Sequence, residues 1–122
     1  MNLIAGEASA AGVALRGGVE IEAALPATRS PTLTVGIRAG ALRVAARQGD
    51  IALPGQVELA EISGSDTFLH VDTPIGELVA QLTGVHEFTL GTPVTLHLDP
   101  GQVYIFDSAG ALLLAPAGRG SR

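Results

Sequence analysis

Apolar and polar residues alternate one by one along much of this chain, and this alternation constrains the fold more than any other feature. The segments Val19–Ala23, Thr32–Arg38 and Val94–Asp99 each carry an apolar side chain at every second position. Successive side chains of a strand point to opposite faces, so each of these segments has one face to bury. No stretch of helical length keeps a 3.6-residue period. The pattern therefore predicts an all-β protein.

Turn-forming residues divide the chain into short pieces. The 122 residues include 16 glycines and 7 prolines, which is too many for long helices. The stretch 40–54 is the least regular and is expected to hold no more than a short strand at Leu42–Val44. About eight to ten short strands result, at the turn spacing typical of a barrel or sandwich. The clearest turn sequences are Arg16–Val19, Ser63–Asp66, Thr73–Gly76, Asp99–Gly101 and Asp107–Gly110.

The charged and reactive residues exclude several kinds of function. The formal net charge is −5, which argues against binding to nucleic acid or to an anionic membrane surface. The chain has no cysteine, and all seven basic residues are arginine, so thiol nucleophiles and Schiff-base or P-loop lysines are excluded. No G-x-S-x-G motif is present either. These absences predict a non-catalytic domain that binds no cofactor of its own.

Two kinds of acidic and histidine pattern leave a metal or acid–base site open. His70–Asp72 and His97–Asp99 both read H-x-D, and residues two apart on a strand share a face, so each pair presents two metal ligands together. The simpler interpretation is a solvated polar face opposite a buried one, and it also accounts for Glu20 with Glu22 and for Glu58 with Glu61. A hydrolase or isomerase would need the three histidines, which lie in separate segments, to converge in the fold.

Several short motifs occur in a characteristic order. Met1–Gly6 is similar to an M-N-x-[LIF]-x-G start, and Thr34–Arg38 to a [TV]-x-G-[IV]-R element. The other matching segments are Gly12–Leu15, Gly55–Glu61, Ser63–Asp66, Gly76–Ala80, Gly91–Leu96, Asp99-Pro100 and Tyr104–Asp107. In this order they resemble the C-terminal regulatory domain of ABC importer ATP-binding subunits of the maltose- and glycerol-phosphate-transporter type. That family is called the TOBE (transport-associated OB) domain, and the resemblance covers roughly residues 1–114.

The resemblance implies a fold and a division of the chain. The expected fold is all-β, with OB-like barrels of short antiparallel strands and at most one or two short helical turns. Residues 1–115 would form this TOBE/OB-like regulatory domain, and 116–122 a flexible C-terminal tail. Met1 would then be an internal methionine of a longer subunit.

The resemblance also implies a function and partners. The domain would be a non-catalytic regulatory and dimerisation domain of an importer for a sugar, a polyol or a glycerol phosphate. ATP and Mg²⁺ would bind in a nucleotide-binding domain absent from these residues. The implied partners are a second copy of the domain, the nucleotide-binding domain and the importer membrane subunits, with no nucleic acid and no direct membrane insertion. The location would be cytoplasmic, peripheral at the inner face of the membrane.

Seven residues in the matching motifs are candidate regulatory or interface residues: Gly36, Arg38, Gly64, Ser65, Asp66, Phe106 and Asp107. The family continues its G-I-R element with Pro-Glu-His, whereas this chain has Ala39-Gly40-Ala41, so a contact that relatives make there would be altered.

The alternative function is a free-standing module that binds a small ligand, an oxyanion or a sugar. It predicts a concave pocket near Arg38 or a histidine. An oxyanion ranks lower because the chain lacks lysine and the S-A-R-N type start of oxyanion binders.

Overall fold

A computed structural model describes residues 1–25 and 31–116, and in these residues the chain forms eleven strands in two antiparallel sheets. Each strand pairs only with antiparallel neighbours, as expected for segments joined by tight turns. The strands are β1 (Asn2–Ala8), β2 (Gly12–Ala14), β3 (Glu20–Glu22), β4 (Thr32–Ile37), β5 (Leu42–Arg43), β6 (Ile51–Ser63), β7 (Asp66–Thr73), β8 (Gly76–Thr83), β9 (Pro93–Leu98), β10 (Val103–Phe106) and β11 (Leu112–Leu114).

The strands of one sheet interrupt the other in the sequence: β5–β9, which form the five-stranded sheet, lie between β4 and β10 of the six-stranded sheet. The six-stranded sheet has the order β11-β10-β4-β1-β2-β3, and the five-stranded sheet has the order β5-β9-β6-β7-β8. The five-stranded sheet curls until β5 contacts β8, which makes it a nearly closed barrel, whereas the six-stranded sheet remains a half-barrel. The prediction of an all-β, OB-like fold is confirmed.

The alternating residues form the core. In β4, Leu33, Val35 and Ile37 are fully buried, and in β9 Leu96 and Leu98 are fully buried. Buried side chains of both sheets belong to one hydrophobic cluster. Each such side chain contributes about 1.5–3 kcal/mol by leaving water, so the shared cluster stabilises the two sheets together.

The predicted turns are present, and their local chemistry explains them. Gly64 has φ of 64° in the two-residue loop between β6 and β7. The Asp107 carboxylate accepts hydrogen bonds from the backbone N–H groups of Ala109 and Ala111 and so closes the turn between β10 and β11. There are three short 3₁₀ turns in the described residues, one more than expected: Arg16–Gly18, Ala39–Ala41 and Pro100–Gln102.

Strand β6 is longer than the sequence suggests. It has 13 residues and begins at Ile51, inside the stretch 40–54 that was expected to be irregular. Pro54 and Gly55 normally interrupt a strand. Here the segment Ile51–Gln56 pairs with β9, and β7 joins β6 only from Gln56 onward, so Pro54 lies beside an unpaired edge where no N–H group is needed.

Two further observations concern the C-terminal tail and the possibility of a membrane-spanning helix. The predicted flexible tail 116–122 lies outside the described residues except for Pro116. No helical segment within residues 1–25 and 31–116 has the length and apolar character needed to cross a membrane.

Candidate functional site

Several apolar side chains lie together on the outward side of the six-stranded sheet. Register places Leu3, Gly36 and Tyr104 side by side on β1, β4 and β10. Phe106 is paired with Leu112 on β11 in the next row. Met1, Leu3 and Leu112 are 61%, 64% and 52% exposed. We call Met1, Leu3, Tyr104, Phe106 and Leu112 the outer apolar face.

Gly36 lets the side chains of this face lie flat on the sheet. A Cβ atom at Gly36 would lie 2.5 Å from the Met1 sulfur and 3.3 Å from the Phe106 ring. The rings of Tyr104 and Phe106 stack with centroids 6.5 Å apart and an angle of 11° between their planes. The glycine of the G-I-R motif is therefore covered by aromatic and Met side chains.

Arg38 borders this face and is held in place by an aromatic ring. Its guanidinium carbon lies 5.4 Å from the centroid of the Tyr104 ring, a cation–π contact. Beside it is an open groove of about 850 Å³ at the junction of the two sheets. We call it the Arg38 groove. Its lining is Met1, Arg38, Ala39, Gly40, Ala41, Gln81, Gln102, Tyr104, Ala115 and Pro116.

The loop beside the groove is fixed by an ion pair. Arg43 donates to the Asp50 carboxylate over 2.8 Å, and the other Asp50 oxygen accepts from the backbone N–H of Arg47. The Arg43 hydrogen bond lowers the pKa of Asp50, although partial burial opposes this. Since the pKa falls on folding, this pair stabilises the fold above the ordinary value of 3.8 and loses its effect as the pH drops below it.

The structure brings together some of the seven candidate residues and separates others. Phe106 belongs to the outer apolar face, Gly36 lies beneath it, and Arg38 lies at its rim. Asp107 follows Phe106 and forms the turn described above. Gly64, Ser65 and Asp66 form the β6–β7 hairpin of the other sheet. Asp66 reaches the groove only indirectly, since its carboxylate accepts a hydrogen bond from the Gln81 amide over 2.8 Å.

A second cluster of charged groups lies on the outside of the five-stranded sheet. The His70 ring lies between two carboxylates, with nitrogen–oxygen distances of 3.0 Å to Glu61 and 3.8 Å to Glu77. Within residues 1–25 and 31–116, no three His, Asp or Glu side chains are arranged to hold a metal ion. Two of the three histidines contact different groups: His86 lies 2.8 Å from the Thr83 carbonyl, away from the His70 cluster.

Glu58 on this surface is crowded by other acids. Partial loss of water raises the pKa of the Glu58 carboxyl, and the charges of Glu77 and Asp72 and a hydrogen bond with Glu77 raise it further, while His70 acts in the opposite direction. Sequence reasoning paired Glu58 with Glu61, but the acids that raise its pKa are Glu77 and Asp72, on other strands. An irregularity in the β6–β7 register between Val57 and Leu59 accompanies this placement.

We expect Glu58→Gln to stabilise the protein at neutral pH. The folded-state pKa is above the ordinary value of 4.5, so the contribution of Glu58 is favourable below that pH and is lost as the pH rises through the folded pKa. The amide cannot ionise, so the melting temperature of the variant should exceed that of the parent at about pH 7 and match it at about pH 3.5. Glu87→Gln, at an exposed acid in the segment between β8 and β9, is the control. An equal gain at both pH values would contradict the assignment.

Asn2 is the structural residue that sequence reasoning missed. Its side-chain amide donates to the carbonyl of Ile37 over 3.1 Å and to the carbonyl of Val79 over 3.0 Å, and its oxygen accepts from the Val79 N–H over 2.8 Å. Ile37 lies in the same sheet as Asn2, whereas Val79 lies in the other sheet. Asn2 therefore joins the two sheets where the M-N-x motif begins, and only that motif signalled it.

Comparisons with known proteins agree with this architecture. The family model of the TOBE domain matches residues 35–106, more than half of the chain, from the middle of β4 to the end of β10. The chain is also 30% identical over 116 residues to the sn-glycerol-3-phosphate import ATP-binding protein UgpC of Pectobacterium atrosepticum. This alignment includes 92% of the chain but only 32% of UgpC, so the chain spans about a third of the length of that relative.

Proposed function

The chain belongs to the TOBE domain family, and from this membership we propose that it is the non-catalytic regulatory and dimerisation domain of an ABC importer ATP-binding subunit. The similarity to a relative named as a glycerol-phosphate import ATP-binding protein supports this role. In this proposal residues 1–115 form the domain, and the imported substrate is a sugar, a polyol or a glycerol phosphate. ATP and Mg²⁺ bind to a nucleotide-binding domain of the same subunit, outside these residues.

The proposal also includes the partners of the domain and its location in the cell. The domain contacts the nucleotide-binding domain, a second copy of itself and, through the complex, the importer membrane subunits. It lies at the cytoplasmic face of the membrane without entering it. Regulation then consists of contacts between domains that favour one arrangement of the ATPase pair over another.

The observation that carries the proposal is the outer apolar face. Exposed apolar residues that cluster on one side of a sheet are typical of interaction surfaces. A second copy offers the same surface, and a twofold axis lets each apolar row pack on its equivalent. Gly36 and Phe106 lie at the centre of this contact in the proposal, where a family motif and the exposed surface coincide.

The size of the face indicates how strongly two isolated copies should associate. Five side chains cover less surface than the roughly 800 Å² per partner of a stable interface. Isolated copies should therefore associate weakly. In a transporter, the two ATP-binding subunits hold the domains near each other, and the effective concentration makes a weak contact sufficient.

We expect amide chemical shifts of the chain to depend on protein concentration in β1, β4 and β10. Strands β1 and β10 carry Leu3, Tyr104 and Phe106 of the outer apolar face, and Gly36 of β4 lies beneath these side chains, so dimerisation changes the environment of their amides. Leu3→Glu places a charge on the face and should weaken association at least about tenfold, because a buried unpaired charge is costly. Leu3 is 64% exposed, so the substitution leaves the core intact.

A matched variant separates this effect from a general gain in solubility. Leu90 is 63% exposed and lies in the segment before β9, away from the outer apolar face. Leu90→Glu adds the same charge and should leave the concentration dependence unchanged. Shifts confined to other strands, or an equal effect of both variants, would contradict the proposed contact.

A further inference from the structure

Arg38 is an exposed cation to which the described residues offer no carboxylate partner. In the part of the chain that the structure describes, no Asp or Glu oxygen lies within 4 Å of its guanidinium, whereas Arg43 is paired with Asp50. The Tyr104 ring orients the Arg38 guanidinium at a distance of 5.4 Å, so less side-chain entropy remains to be lost on binding. A guanidinium offers a planar fork of donors that matches the two oxygens of a carboxylate or a phosphate.

The groove beside Arg38 supplies groups that suit hydroxyls. The Gln81 amide nitrogen donates to Asp66, which leaves the amide oxygen of Gln81 as an acceptor. The Gln102 amide makes no side-chain hydrogen bond with another described residue, so it offers both donors and an acceptor. The volume of about 850 Å³ lies within the usual range of small-molecule sites.

Small residues keep the groove open. Ala39, Gly40 and Ala41 form one wall, and a Cβ atom at Gly40 would meet nothing within 4 Å. Gly40 also has no positive φ, unlike the other five described glycines with open space around them. Side chains can therefore be introduced at position 40 without backbone strain, which makes it a direct probe of the groove.

We propose that the Arg38 groove binds a small hydroxylated organic anion, a phosphate ester or a carboxylate. Its anionic group lies on the Arg38 guanidinium, and its hydroxyls bond to the Gln81 and Gln102 amides. This activity goes beyond the domain contacts of the proposed function and does not require them. Met1 and Tyr104 border both the groove and the outer apolar face, so a bound ligand would change the edge of the contact surface.

The test is a calorimetric titration of the 122-residue chain with glucose 6-phosphate, gluconate, uncharged glucose and inorganic phosphate. One of the two charged probes should bind at least about tenfold more tightly than glucose, and the tighter one identifies the anionic group. Arg38→Gln should weaken that binding at least about tenfold, since it removes a charge-assisted hydrogen bond. Arg16→Gln, at an exposed arginine outside the groove, should leave it unchanged.

A pair of variants at Gly40 distinguishes a charge effect from a blocked groove. Gly40→Glu and Gly40→Gln have the same size, but only the first brings a carboxylate toward Arg38. The Glu variant should bind the charged probe at least about tenfold more weakly than the Gln variant. Both should melt near the temperature of the parent, because a Cβ atom at position 40 meets nothing within 4 Å.

Three results would overturn the proposal. One is the absence of heat from both charged probes at about 10 mM, a concentration that detects even a weak site. Another is binding that Arg38→Gln leaves unchanged. The third is binding of inorganic phosphate as tight as that of glucose 6-phosphate, which would reduce the site to an adventitious ion contact. None of these results bears on association through the outer apolar face, which Leu3→Glu tests separately.

Discussion

Replacement of Gly55 by alanine is expected to cost about 3 kcal/mol of the free energy of unfolding, because there is no room for a Cβ atom. An ideal Cβ at this position would lie 2.3 Å from the carbonyl oxygen of Asp72 and 2.8 Å from a methyl carbon of Val71. The carbonyl belongs to the backbone of β7, so the clash is relieved only if two paired strands move apart. Chemical denaturation of the parent and the variant measures the difference directly.

Gly40→Ala is the matched control for this experiment. Both glycines lack a positive φ, but a Cβ atom at Gly40 meets open space. Alanine at Gly40 restricts the unfolded chain without a clash, so we expect no loss of stability or a gain of about 0.5 kcal/mol. If both variants lost the same stability, the close approach of β6 and β7 at Gly55 would not be the cause.

Asn2→Ala is expected to lower the free energy of unfolding by about 3 kcal/mol. Three hydrogen bonds are lost, and each contributes about 0.5–1.5 kcal/mol. The N–H and carbonyl groups of Val79 also lose their partner at the junction of the sheets, where water replaces it only in part. The loss should appear in a denaturant titration as a lower midpoint with an unchanged slope.

Asn2→Asp tests whether the hydrogen bonds or the volume of Asn2 matters. The aspartate keeps an acceptor for the Val79 N–H, but its second oxygen faces the carbonyls of Ile37 and Val79. Protonation restores a donor, so folding raises the pKa of this carboxyl and its contribution is lost as the pH rises through that value. The variant should therefore be less stable than the parent at about pH 7 and closer to it at about pH 4. A pH-independent difference would contradict this reading of the contact.

Local chemistry explains why much of the fold is predictable from the sequence. The alternation in Thr32–Ile37 identifies the buried face of β4, and the glycine at position 64 identifies a hairpin that needs a left-handed residue. Asp107 likewise stabilises the turn that it begins, since its carboxylate accepts hydrogen bonds from N–H groups two and four residues ahead. Each of these features depends on neighbours within a few residues, so a sequence pattern suffices to find it.

The features that were missed depend on distant partners. Pro54 and Gly55 predict an interruption of the strand. The strand tolerates them because β7 pairs with β6 only from Gln56 onward, which is not evident from the sequence. The role of Asn2 depends on Val79, 77 residues away. The acids that raise the pKa of Glu58 lie on β7 and β8, so they meet it only through the register across β6, β7 and β8, and a one-residue irregularity changes which side chains meet.

The candidate site was also predictable only in part, at the residues that belong to a motif. Gly36, Arg38 and Phe106 were selected from family motifs, and the structure places them on or beside one surface. The hairpin of Gly64, Ser65 and Asp66 was selected by the same reasoning but lies in the other sheet. The Arg38 groove needs Gln81 and Gln102, two residues without any motif, and their approach to Arg38 depends on how the sheets meet.

The position of β5–β9 between β4 and β10 in the sequence has a consequence for synthesis on the ribosome. Strand β4 finds β1 as soon as it is made, but its second neighbour, β10, is translated only after all five strands of the barrel. Until then β4 has an open edge, and an open edge can pair with the wrong chain. The nascent protein completes its first sheet last, so a chain that terminates before Val103 would expose this edge permanently and be prone to aggregation.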